Sequence, residues 1–88
     1  MTLHIINKKE AINLARETFS QKGEDSIILI EDGVYALLEE LPMEGQVFVL
    51  GADIKARGLE EKAIEKVQVI DYAGFVKLSE EHEKIISW

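Results

Sequence analysis

Ile27-Ile28-Leu29-Ile30-Glu31-Asp32-Gly33 is the stretch that decides the fold. Its first four residues are apolar, mostly β-branched and uninterrupted. That suits a strand covered on both faces better than one with a wet face. The run stops at two carboxylates and a glycine, a composition suited to starting a helix. Three similar runs, Leu3–Ile6, Val47–Leu50 and Val67–Ile70, are separated by segments with helical spacing. The alternation predicts an α/β fold, a small, open, mostly parallel four-stranded sheet with flanking helices.

The connecting segments carry their own start and stop signals. Asn7 can cap a first helix, and Glu10 three residues later can reach back to the cap's N–H. Ala11, Ile12, Leu14, Ala15 and Phe19 form its apolar stripe, and Lys22-Gly23 ends it. A second helix is predicted from Asp32 or Gly33 to about Leu41, before Pro42, with Val34, Leu37, Leu38 and Leu41 facing inward. Asp53 can cap a short helix closing at Gly58, and Leu59–Lys66 is expected to be helical in part. Asp71 can cap a last helix containing Tyr72, Phe75, Val76 and Leu78. Beyond Ser79 two readings stay open, another turn at Ser79-Glu80-Glu81 or an extended Ile85-Ile86-Ser87-Trp88.

The 88 residues are expected to form one domain spanning 1–88. Net charge is −7, from 17 acidic and 10 basic side chains, which argues against direct binding of nucleic acid. No apolar run approaches the ~18 residues of a membrane span, and the first residues do not read as a signal peptide. A cytoplasmic location is therefore expected. Zero cysteines removes disulfides, thiolate metal sites and thiol catalysis.

Candidate chemistry is sparse. Asp32, Asp53 and Asp71 all follow strand ends, where ligands meet open α/β sheets, but helix capping explains each without a ligand. His4 opens the first strand and reads either as a residue with a local hydrogen bond or as part of a pocket shared with a partner. His82 lies in a glutamate-rich tail, and neither histidine has metal-ligand spacing. No glycine pattern cradles phosphate, and no serine sits in a nucleophile elbow. The residues alone indicate an α/β domain with no cofactor, no metal and no catalytic site. A four-stranded sheet also leaves a face and edges poorly covered, which points to a partner. Trp88, beside Ile85 and Ile86, should dock on this domain or on another subunit.

Several blocks, taken in order, resemble the TusB/DsrH family of small subunits in sulfur-relay complexes. They are Leu3–Lys8, Ile27–Ala36 around Glu31-Asp32-Gly33, Val47–Asp53, Lys55-Ala56-Arg57-Gly58-Leu59, Asp71–Leu78 and Trp88. The resemblance implies a DsrEFH-like α/β domain that assembles with DsrE/TusD-like and DsrF/TusC-like subunits into a heterohexamer. It also implies a place in a relay carrying persulfide sulfur, toward 2-thiouridine at the tRNA wobble position in the TusBCD version or in dissimilatory sulfur metabolism in the DsrEFH version. The sulfur-carrying cysteine belongs chiefly to the DsrE/TusD-like subunit. A chain without cysteine cannot hold the sulfur, because only a thiolate both attacks and carries it. The expected role is a non-enzymatic subunit of a sulfurtransferase complex. Asp32, Tyr35 and Arg57, in the matching blocks, are candidate interface or pocket residues with His4 and Trp88. The competing readings are a stand-alone homo-oligomer that binds a small ligand or regulatory partner, and an enzyme using Asp32 or His4 in acid–base chemistry.

Overall fold

Ile27, Ile28 and Leu29 have no exposed surface, and they lie in the middle strand of a five-stranded sheet. Full burial of side chains of this size contributes about 1.5–3 kcal/mol each. The computed structural model describes residues 2–16, 25–38 and 46–88, with only the backbone described at 16 and 64–66. Within them run β1 (Thr2–Ile6), α1 (Ala11–Arg16), β2 (Ser26–Leu29), a 3₁₀ helix (Glu31–Leu38), β3 (Val47–Leu50), α2 (Gly51–Ala56), α3 (Glu60–Lys66), β4 (Gln68–Ile70), α4 (Tyr72–Glu80) and β5 (Lys84–Ser87). The strand order is β4-β3-β2-β1-β5, and every pairing is parallel.

The expected four-stranded sheet is thus corrected to five strands. The fifth comes from the tail left open between two readings, and it pairs Leu3 with Ile85 and His4 with Ile86. Its period-two signal is weak because it is an edge strand with Lys84 and Ser87 at its ends, and only Ile86 is partly covered.

Topology explains how the helices are distributed. From β1 to β4 each crossover steps the same way across the sheet, so right-handed connections place α1, the 3₁₀ helix, α2 and α3 on one face. The larger core lies there, built on Ile6, Ile27, Leu29, Val34, Leu37 and Val49. From β4 to β5 the chain steps back across the sheet, and α4 falls on the opposite face. A smaller core forms under it from Leu3, Ile28 and Leu78, with Ile5, Ile30, Phe48, Ile70 and Phe75 packed around them.

The segment after β2 coils as 3₁₀ rather than α. Three residues per turn aligns Gly33 with Ala36 and Val34 with Leu37, and all four are buried. Leu38, expected to face inward on an α period, is instead 54% exposed. Leu41 and Pro42, like the first helix's end at Lys22-Gly23, lie outside the described residues. That first helix starts late, at Ala11, after backbone bonds from Ala11, Ile12 and Asn13 to the carbonyls three residues earlier.

Candidate functional site

Two separate groups hold the residues singled out in the sequence. The first is at the surface, where the carboxyl ends of β2 and β3 lead into the 3₁₀ helix and α2. Arg57 follows the last turn of α2 as its C-cap. Its position is fixed by a closing motif in which Leu59 N–H reaches Ile54 O (3.0 Å) and Gly58 N–H reaches Lys55 O (3.3 Å). Gly58 takes φ +67, the left-handed turn this motif needs.

From there Arg57 Nε and Nη2 both donate to Asp32 Oδ1, at 3.1 and 2.9 Å. Nη1 donates to the Asp53 carbonyl at 3.1 Å and lies 3.7 Å from Asp53 Oδ1. The other oxygen of Asp53 accepts the Glu31 N–H at 2.8 Å, across a turn in which Glu31 has φ 49. The Arg57 guanidinium also stands 5.9 Å from the centre of the Tyr35 ring, within cation–π range. Hydrogen bonding to Asp32 raises the Arg57 pKa, opposed by desolvation and helped by the charges of Asp32 and Asp53. The Asp32 side chain is 69% exposed, so the pair does little for stability. What the arrangement supplies is a fixed, amphoteric patch with an aromatic beside a cation.

The second group is buried. His4 has no exposed surface; its Nε2 lies 2.9 Å from Asp25 Oδ2, and its Nδ1 accepts the Trp88 indole N–H at 3.1 Å. An indole N–H only donates. Nδ1 is therefore an acceptor, and the proton sits on Nε2, facing Asp25. The Trp88 and His4 rings stack at 6.2 Å and 21°, and the Trp88 backbone N–H donates to Ile5 O at 2.9 Å. Thr2 N–H also donates to Asp25 Oδ1, at 3.3 Å. Ligands of open α/β sheets bind beside the point where strand order reverses. Here that point is between β1 and β5, and Trp88 stands there, packed on the main core.

Asp32, Tyr35 and Arg57 thus come together, His4 and Trp88 come together, and the two groups differ in burial and chemistry. Of the three aspartates read as caps, only Asp71 caps a helix, accepting the Gly74 N–H at 2.8 Å. α2 begins at Gly51, two residues before Asp53, which turns that carboxylate from a cap into a clamp on Glu31. Asp25 escaped the sequence reading, although its place directly before a buried strand was a usable signal. His82, in the glutamate-rich tail, is buried. Its Nδ1 donates to Leu78 O at 2.8 Å, and its Nε2 is 2.9 Å from Ser26 Oγ. Among the described residues no group of His, Asp or Glu is arranged to hold a metal ion, and no helix is long and apolar enough to cross a membrane.

The family model described as DsrH-like protein matches residues 9–85. This chain belongs to the TusB/DsrH family. Among its DsrH-like relatives, protein TusB of Photorhabdus laumondii is 38% identical over 73% of this chain and 75% of the relative. Protein TusB of Yersinia pestis is 36% identical over 75% and 77%. A solution NMR structure of protein Tm0979 from Thermotoga maritima superposes with a TM-score of 0.72 at 35% identity, covering 94% of this DsrH-like chain and 95% of that one.

Proposed function

We propose that this chain is a non-catalytic, cytoplasmic subunit of a sulfur-relay complex of the TusBCD/DsrEFH type. In this reading it supports persulfide transfer by a cysteine on a DsrE/TusD-like partner, toward 2-thiouridine at the tRNA wobble position, with a DsrF/TusC-like chain as the third component. The observation that carries the reading is a TusB/DsrH match over residues 9–85 in a chain with no cysteine. Such a subunit can shape the surroundings of a persulfide but cannot carry one. The acidic balance suits a subunit that leaves tRNA contact to others.

Asp32, Tyr35 and Arg57 are the residues proposed to meet a partner near its reactive cysteine. Arg57 is already oriented by Asp32 and Asp53, so little side-chain entropy remains to be lost on contact. His4 and Trp88 fix β1 to β5 in this reading.

Native mass spectrometry of this chain, alone and co-expressed with the host's DsrE-like and DsrF-like proteins, tests the reading. A complex with two copies of each chain is expected, with the 32-Da sulfur adduct (the mass of one sulfur atom, about 32) on a partner only. Arg57→Ala should leave the fold intact and lower sulfur loading of that partner or its transfer onward. A homo-oligomer indifferent to both proteins would sink the assignment.

A further inference from the structure

The two faces of the sheet are covered very unequally. Among the described residues, four helical segments lie on one face, whereas the other carries the nine residues of α4 across five strands. Tyr72 and Val76 on α4 are 65% and 58% exposed, and Ile85, which shares the face with Leu3, is 47% exposed. Beside α4 a cleft of about 540 Å³ opens at the carboxyl ends of β3 and β4, between Leu50, Val69, Ile70 and Tyr72. Ile70 and Gly74 also border a second hollow of about 220 Å³ over Phe48. A methyl at Gly74 would come within 3.0 Å of Ile70 Cβ, so the helix presses on the sheet there and leaves a hollow to either side. Large apolar side chains gathered on one thinly covered face mark a docking surface.

The charges around this surface select the occupant. Between residues 71 and 84 the exposed ionic groups are Asp71, Glu80, Glu81 and Glu83 against Lys77 and Lys84. A two-fold dimer through this face would bring together two rims that each carry an acidic excess, four carboxylates against two lysines, in a chain that already carries −7. A second copy is therefore disfavoured, and a partner of opposite rim charge is favoured and steered toward the face.

We infer that the α4 face is where this chain receives a different protein subunit, one that offers an apolar patch flanked by lysines or arginines and fills the cleft with large side chains. This rests on the sulfur-relay subunit reading and adds to it the surface used and the chemistry of what sits there. The surface is on the opposite side of the sheet from α1 and is separate from the Arg57 group.

Val76→Glu and Tyr72→Glu, each co-expressed with the host's DsrE-like and DsrF-like chains, test it by native mass spectrometry, with thermal melts to verify folding. Both positions are exposed, so melting should stay close to wild type, while the yield of complex falls at least tenfold. Glu80→Lys combined with Glu83→Lys should weaken assembly more at low salt than at high salt. Wild-type yield from Val76→Glu would overturn this surface and leave the subunit reading standing. No complex from the wild-type chain would overturn both. A homodimer of the isolated chain that Val76→Glu dissolves would give the face to a second copy and also overturn the inference.

Discussion

A methyl group added at Gly33 would overlap the carbonyl oxygen of Ile6 and lie 2.7 Å from its carbon, so backbone meets backbone where the 3₁₀ helix crosses the end of β1. Gly58 differs, since nothing lies within 4 Å of an added methyl and the constraint is its φ of +67 alone. The two positions therefore predict different responses to the same substitution. Gly33→Ala should cost about 3 kcal/mol, as overpacking against a rigid neighbour does, and lower the melting temperature by about 15 °C. Gly58→Ala should cost about 1 kcal/mol, and Gly58→Asn less, because asparagine tolerates the left-handed region. Thermal melts followed by circular dichroism measure all three. Equal losses at the two glycines would contradict the close approach at Ile6.

Among the elements, β5 depends most on a single side chain. It has one neighbouring strand, its residues are largely exposed, and Trp88 ties it down through a backbone bond to Ile5, an indole bond to His4 and contact with the main core. Trp88→Phe keeps an aromatic ring but loses the indole donor, at about 1 kcal/mol. Trp88→Ala loses the packing as well, at about 3 kcal/mol. Urea unfolding should show both as lowered midpoints, the second larger. Because Trp88 is the only tryptophan, its fluorescence in a His4→Phe variant reports directly on the seating of β5.

How far each element was legible follows from its environment. β1, β2 and β3 were readable as apolar runs because strands sandwiched between layers need apolar side chains on both faces. Both edge strands are largely exposed; β4 was still readable from Val67, Val69 and Ile70, whereas β5, with Lys84 and Ser87 at its ends, offered only Ile85 and Ile86. The Asp71 cap was readable as an aspartate directly before a helical segment, but the same signal at Asp53 failed because α2 begins two residues earlier, at Gly51. The 3₁₀ helix was placed but given the wrong period, since Gly33, set against the Ile6 backbone, imposes a tertiary constraint that no local pattern announces. In the candidate site, Asp53 and Arg57 stand at helical i, i+4 spacing and could be paired on sight. Asp32 and Arg57 are 25 positions apart, and only the fold brings them together.

For the whole molecule, the sheet order sets a gradient of protection. β2 is central and fully buried, with β3 and β1 beside it, whereas β4 and β5 form the edges. Hydrogen exchange should find the Ile28 and Leu29 amides opening only with global unfolding, and the amides of β5 exchanging through cheaper local opening. Mass-resolved exchange in the isolated chain measures this, and β5 protection equal to that of β2 would contradict the order. In an assembled complex, the α4 residues should gain protection relative to the isolated chain.

The pairing of β1 with β5 also bears on how the protein is made. Thr2 meets Lys84 with nearly the whole chain between them. On the ribosome β1 emerges first of the five strands and β5 last. Until β5 arrives, the outer edge of β1 carries a row of unsatisfied peptide groups along an apolar strand, the kind of surface on which nascent chains stick to one another. The time spent translating the stretch from β4 through α4 is thus the interval of greatest exposure. Slowing elongation there should raise misassembly in the cell without altering the finished fold.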